Sequence, residues 1–142
     1  MKKKRVMSFG TFDIIHPGHI AFLSAAAKCG NELFVVVSRD TRRKKISGDL
    51  PVHTQTERIS VLNALKPVTR AIAGSDKDIL KAIKRYTPDV IVLGHDQVYG
   101  IEMLDKWIAR QENPPKIVRL PAFRRGRFST TRIKKVLCQS ST

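Results

Sequence analysis

The chain is poor in cysteine, in aromatic residues and in negative charge. Its 142 residues hold two cysteines, Cys29 and Cys138. They lie far apart without the spacing of a metal site, and a reducing compartment keeps such a pair as thiols. Aromatic residues make up 6% of the chain. None is interleaved with the basic runs to form a platform on which bases stack, which argues against a nucleic-acid partner. No apolar run approaches the roughly 18 residues needed to cross a bilayer. The basic N-terminus leads into a segment broken by Gly10 and Asp13, unlike a secretory leader. The expectation is a cytoplasmic protein with no membrane partner. Internal repeats, linkers and low-complexity stretches are also missing, so residues 1–142 read as one domain around one core.

What the chain has is positive charge: 27 Lys and Arg against 12 Asp and Glu, a net +15. The charge is clustered at residues 2–5, 39–45 and 124–135. Such a balance raises nucleic-acid binding, but no binding motif accompanies it. Basic loops also suit a site that must hold a triphosphate and a second phosphorylated substrate side by side.

Apolar runs and helical periods alternate along the chain. Strands are expected at residues 5–9, 32–38, 71–73, 90–93 and 116–120. Helices are expected at residues 18–28, from Thr54 to about Leu65, from Ser75 or Asp76 onward, at 102–111, and from Ser129. Thr54 and Glu57 have the spacing of a capping box. Ile59, Leu62 and Leu65 should face inward on the second helix, Ile79, Leu80 and Ile83 on the third, and Leu104, Trp107 and Ile108 on the fourth. On the last helix the inward residues should be Ile133, Val136 and Leu137. Residues 39–53 read as a long polar loop. Continuous apolar strands separated by helices predict an α/β fold, Rossmann-like, with a parallel sheet covered on both faces. Ligands bind such sheets beyond the C-terminal strand ends.

Every unusual segment falls at one of those ends. The richest is Gly10-Thr11-Phe12-Asp13-Ile14-Ile15-His16-Pro17-Gly18-His19-Ile20. It follows the first strand and opens a helix with Ile20, Leu23 and Ala27 on one face. Pro17 suits a first helical position. Half of the chain's four histidines fall here, flanking Gly18. A helix N-terminus attracts phosphate through its free N–H groups and dipole, and two imidazoles beside it can donate to phosphate oxygens. The bland alternatives are two surface histidines, an Asp13 that caps a turn, a solvated Arg42-Arg43-Lys44-Lys45 run, and a Ser129 that is only a helix cap.

His16-Pro17-Gly18-His19 and the late Arg124-Arg125-Gly126-Arg127-Phe128-Ser129-Thr130-Thr131 closely resemble the two signatures of the small nucleotidyltransferases related to glycerol-3-phosphate cytidylyltransferase. Leu65-Lys66-Pro67-Val68, Gly74-Ser75 and Asp89-Val90-Ile91-Val92-Leu93-Gly94-His95-Asp96-Gln97 narrow the resemblance to the archaeal FAD synthases. His95 stands where those enzymes usually carry tyrosine, and Arg127 where the usual motif carries glycine. The resemblance implies catalysis by His16, His19, Lys45 and Arg124. It implies nucleotide contacts from Thr11, Phe12, Asp13, His16, Pro17, Gly18, His19, Lys44, Asp96, Arg124, Ser129 and Thr130. Lys44 and Lys45 are both candidates for one phosphate contact. Asp13 would orient a substrate or hold magnesium.

The function so implied is transfer of AMP from ATP to FMN, giving FAD and pyrophosphate. Magnesium or another divalent ion would bridge the phosphates, and homodimers are common among such enzymes. The alternatives are a cytidylyltransferase making a CDP-polyol from CTP and glycerol 3-phosphate or a similar polyol phosphate, and a basic binding module without catalysis.

Overall fold

The computed structural model describes residues 3–41, 50–75, 78–95, 97, 100–123 and 129–139. Five strands form one sheet: β1 (Arg5–Gly10), β2 (Glu32–Val37), β3 (Arg70–Ala73), β4 (Val90–Leu93) and β5 (Lys116–Arg119). Their order is β3-β2-β1-β4-β5, and every pair is parallel. The chain first winds outward from β1 through β2 to β3, then returns to lay β4 on the other side of β1. The winding reverses between β1 and β4, which makes the crevice beyond their C-terminal ends the expected ligand site.

Among the described residues five helices with full bounds accompany the sheet: α1 (Pro17–Ala27), α2 (Gln55–Asn63), α3 (Leu80–Tyr86), α4 (Ile101–Ile108) and α5 (Thr130–Gln139). Side chains alternate across a strand, so β1 to β4 each feed both faces of the sheet. Val6, Val35, Val37, Val90 and Val92 pack on one face with Leu23 and Ala26 of α1 and Leu62 of α2. Met7, Phe9, Phe34, Val36, Ile91 and Leu93 pack on the other with Leu80 and Ile83 of α3 and Leu104 of α4. This is the two-faced parallel sheet that continuous apolar strands require.

Most elements begin and end within two residues of expectation. The capping box of α2 is present: Thr54 Oγ1 accepts the Glu57 N–H at 3.2 Å, and Glu57 Oε1 accepts the Thr54 N–H at 2.8 Å. Three expectations are corrected. Asp40 and Thr41 are helical rather than looped. α3 starts at Leu80, not near Ser75, because the Gly74 N–H still bonds Val37 O at 2.8 Å and carries the ladder past β3. Asp78 instead offers its carboxylate to the Leu80 N–H. Finally, α5 buries no residue, and Val136 and Leu137 are 51% and 61% exposed. Both sheet faces are already covered by α1 to α4, so α5 lies at the rim and is held by polar contacts.

Candidate active site

The exit of β1 is built around a tight approach. A Cβ on Gly10 would sit 2.6 Å from the Phe12 ring, so only glycine fits there. Phe12 and Ile14 both adopt left-handed backbone, with φ of 52° and 42°. For bulky or β-branched residues this costs about 1–3 kcal/mol each and persists only where the surroundings enforce it. The enforcement is visible. The Phe12 ring is buried and packs on His19 at 5.5 Å and on Phe22 at 6.3 Å between centroids.

His16 is the N-cap of α1, with Pro17 in the first turn. Its Nδ1 accepts the Gly18 N–H at 3.1 Å, and His19 Nδ1 accepts the His16 N–H at 3.4 Å. The two imidazoles thus form a reciprocal capping box, the arrangement usually made by Ser/Thr with Glu/Gln. A backbone N–H can only donate, so each Nδ1 must carry a lone pair. In the neutral ring the proton then sits on Nε2. Burial lowers the His16 pKa from its ordinary value. It lowers that of His19 to about 4, with the neighbouring His16 adding to the effect and Asp13 opposing it. At neutral pH the pair therefore carries two Nε2–H donors without net charge, beside the positive end of a helix.

Asp13 is buried, and both its carboxylate oxygens accept backbone N–H groups: Val52 at 2.6 Å and His53 at 3.0 Å. Lys134 Nζ lies 3.6 Å from the same carboxylate. Burial alone would raise the Asp13 pKa, but the His53 and Val52 donors and the Lys134 charge outweigh it, so the net shift is downward. The Asp13 carbonyl accepts the Thr130 hydroxyl at 2.9 Å. Ser129 caps α5 by accepting the Arg132 N–H at 3.0 Å. Thr11, Phe12, Asp13, His16, Pro17, Gly18, His19, Ser129 and Thr130 are therefore brought to one end of the sheet. Lys44, Lys45, Asp96 and Arg124 lie outside the described residues.

One residue that organises this region carries no signal in the sequence. Arg58 of α2 is 1% exposed. Its Nε donates to His53 O at 3.1 Å and its Nη1 to Thr11 O at 2.7 Å. Its Nη2 donates to Ser38 O at 2.9 Å and to Asp40 Oδ1 at 2.6 Å. One guanidinium thus ties the exits of β1 and β2 to the segment entering α2. Thr11 and Ser38 also share a hydroxyl–hydroxyl hydrogen bond of 3.1 Å. Arg58 sits among polar residues in sequence and reads as a solvated helix position; the convergence of three distant acceptors and the nearby His53 carbonyl accompanies its burial.

The described residues contain no group of three His, Cys, Asp or Glu side chains able to cage a metal. The Asp13 carboxylate, engaged by two N–H groups and an ammonium, is poorly placed to supply a ligand.

A family model described as cytidylyltransferase-like matches residues 7–136. The chain is similar to the FAD synthase of Methanosarcina acetivorans, with 42% identity over 120 residues, 82% of this chain and 76% of that one. It is similar to the FAD synthase of Archaeoglobus profundus, with 40% identity over 136 residues, 94% of this chain and 86% of that one. Among solved structures it resembles a protein of Thermoplasma volcanium described as a lipopolysaccharide core biosynthesis protein. That likeness has a TM-score of 0.78 and 38% identity, and covers 86% of this chain and 99% of the other.

Proposed function

The chain belongs to the cytidylyltransferase-like family, matched over residues 7–136, and from that premise we infer that it transfers AMP from ATP to FMN, giving FAD and pyrophosphate. An oxygen of the FMN phosphate forms a bond to the α-phosphorus of ATP, and the bond from that phosphorus to the β-phosphate oxygen breaks. Two relatives with 40% and 42% identity over most of both chains bear the name FAD synthase.

The observation that carries the chemistry is the histidine capping box. Two neutral imidazoles have their Nδ1 atoms committed to backbone, which leaves Nε2–H groups as donors at a helix N-terminus. Little covalent work is asked of the protein. It must hold two anions close together and stabilise charge that grows on the transferring and leaving phosphates. In this reading His16 and His19 donate to the α-phosphate as it becomes more negative, and the Thr11–Phe12 backbone borders the same phosphate. Arg124 and the Ser129–Thr130 helix start hold the leaving pyrophosphate. Lys44 or Lys45 lowers the repulsion between the FMN phosphate and the triphosphate. Asp96 stands near the nucleoside. Asp13 orients the β1 exit through its backbone bonds rather than by holding magnesium.

The divalent ion is best accommodated as one that arrives on the triphosphate. Magnesium is commonly held by substrate phosphates and water rather than by an all-protein cage, and there it would neutralise charge on the leaving group. No described helix is long and apolar enough to cross a membrane; the cytoplasm is the site of action proposed. A homodimer is the assembly proposed.

The test is pyrophosphate release by the purified protein with ATP or CTP, each paired with FMN or glycerol 3-phosphate. The expected productive pair is ATP with FMN, identified by FAD in the product. Formation of a CDP-polyol without FAD would give the site to cytidylyl transfer. No release with any pair would remove the catalytic reading.

A further inference from the structure

Arg119 is the last residue of β5, an edge strand, and it pairs in register with Leu93, the last residue of β4. Its Nη1 donates to Gly94 O at 2.7 Å, to Gln97 O at 3.0 Å and more loosely to His95 O at 3.5 Å. Gln97 tightens the same turn. Its N–H donates to Gly94 O at 3.2 Å, and its Oε1 accepts the Gly94 N–H at 3.4 Å. A single cationic nitrogen therefore gathers three carbonyls of the chain as it leaves β4. In a trans peptide the N–H points opposite to the C=O. Holding Gly94 O against Arg119 thus turns the His95 N–H away from it.

This turn borders the crevice between β1 and β4. The β1 side of that crevice presents phosphate-binding chemistry: a helix N-terminus and two imidazole donors. A nucleotide whose α-phosphate lies there must extend its nucleoside across the crevice. A base edge is discriminated by donors and acceptors at fixed positions, which a wandering turn cannot supply.

We propose that Arg119 is a positioning residue for nucleotide recognition, fixing the β4 exit turn so that the turn grips the nucleoside half of ATP while Arg119 itself does not touch it. The proposal rests on the reading of the chain as an ATP-using transferase. Arg58 works at the other side of the crevice and uses all three of its nitrogens; toward the described residues of the β4 exit turn Arg119 uses Nη1. An ammonium carries three N–H donors on one nitrogen, so lysine should replace Arg119.

The experiment compares Arg119→Ala, Arg119→Lys and the unaltered chain. It measures KM for ATP and for FMN, kcat, and ATP binding alone by calorimetry. The Ala variant should weaken ATP in both measurements by about tenfold, the scale of one or two lost hydrogen bonds. Its kcat should stay within about threefold and its KM for FMN should be unchanged, as expected when ground-state and transition-state binding of one substrate fall together. The Lys variant should recover most of the loss. The side chain is exposed on an edge strand, so the unfolding midpoint should stay within about 3 °C. Unchanged ATP affinity in the Ala variant overturns the proposal. So does an equal weakening of FMN, or a loss seen only together with a large fall in the unfolding midpoint. The calorimetric arm needs no turnover, so it decides the proposal even if the chain makes no FAD.

Discussion

The rings of His16 and His19 lie stacked, with centroids 3.8 Å apart and planes 26° from parallel. Two imidazolium ions could not share that space cheaply, and burial disfavours charge on either ring. The stack and the downward pKa shifts favour neutral rings, and the reciprocal capping selects the tautomer with the proton on Nε2. The first prediction separates capping from catalysis. His16→Asn should keep the cap, because an asparagine oxygen accepts a first-turn N–H as well as any residue, yet it loses the Nε2–H donor. We expect kcat to fall about 10²-fold in His16→Asn and in His19→Ala, the usual cost of one transition-state donor, with ATP affinity changed far less. Near-normal turnover in either variant would take the imidazoles out of the reaction.

The pH dependence follows from the shifted groups. The ordinary imidazole value is 6.5, and folded His19 is lowered to about 4. Between these values the unfolded chain binds more protons than the folded one, so stability rises with pH there. This contribution is complete above pH 6.5 and is lost as the pH falls toward 4. His16, also lowered by burial, acts in the same direction. Thermal unfolding midpoints should therefore decline through that window, and less so in His19→Asn. Turnover should not halve near pH 6.5, since folded His19 stays neutral well below it and His16 is shifted in the same direction. A kcat profile with its midpoint at 6.5 would contradict the assignment of neutral donors.

Arg58 places four acceptors on three nitrogens, a pattern that a point charge cannot reproduce. Arg58→Met and Arg58→Lys should both destabilise, the former by about 3–5 kcal/mol because it leaves Asp40 and three carbonyls without their partner. Both should also lower kcat/KM, since Thr11 O is released at the β1 exit. The check is denaturant unfolding alongside kinetics. A Lys variant with the unaltered chain's midpoint and turnover would show that the fork geometry is dispensable.

Ser8 is a liability rather than an asset. It is fully buried in the middle of β1, between Val35 and Val92, and its hydroxyl has no hydrogen-bond partner among the described residues. Removing an unsatisfied hydroxyl relieves a desolvation cost of about 1–3 kcal/mol. Ser8→Ala should therefore raise the unfolding midpoint by about 2–4 °C for each kcal/mol relieved, with turnover unchanged. A fall in the midpoint would mean that the hydroxyl is satisfied.

The sheet was legible because its central strands carry continuous apolar runs, such as Leu33 to Val37 and Val90 to Leu93, and such runs are tolerated where both faces are covered. The α2 start was legible because Thr54 and Glu57 satisfy each other locally. His16 and His19 were legible as a pair, yet their capping role was not, because imidazole rarely caps. Arg58 was illegible for the opposite reason: its partners at residues 11, 38, 40 and 53 are distant in the chain or approach it only through backbone. Val136 and Leu137 misled because helical periodicity records which side of a helix is apolar and says nothing of whether a sheet face remains to receive it. Asp13 read as a turn cap, or as a group that orients a substrate or holds magnesium, because a carboxylate at a strand end suits each of these. The backbone donors of Val52 and His53 that occupy it leave no trace in residue types.

The hydroxyl of Thr130 reaches back across 117 residues to the carbonyl of Asp13. During synthesis the N-terminal part of a chain emerges first, so the β1 exit is made long before the helix that completes it. A nascent chain ending before Thr130 already contains all five strands, and it can bring β1 to β5 together while the rim around Asp13 stays open. The rim at the β1 exit is thus closed by a contact between the first and last parts of the fold, and a chain cut before Thr130 would lack it.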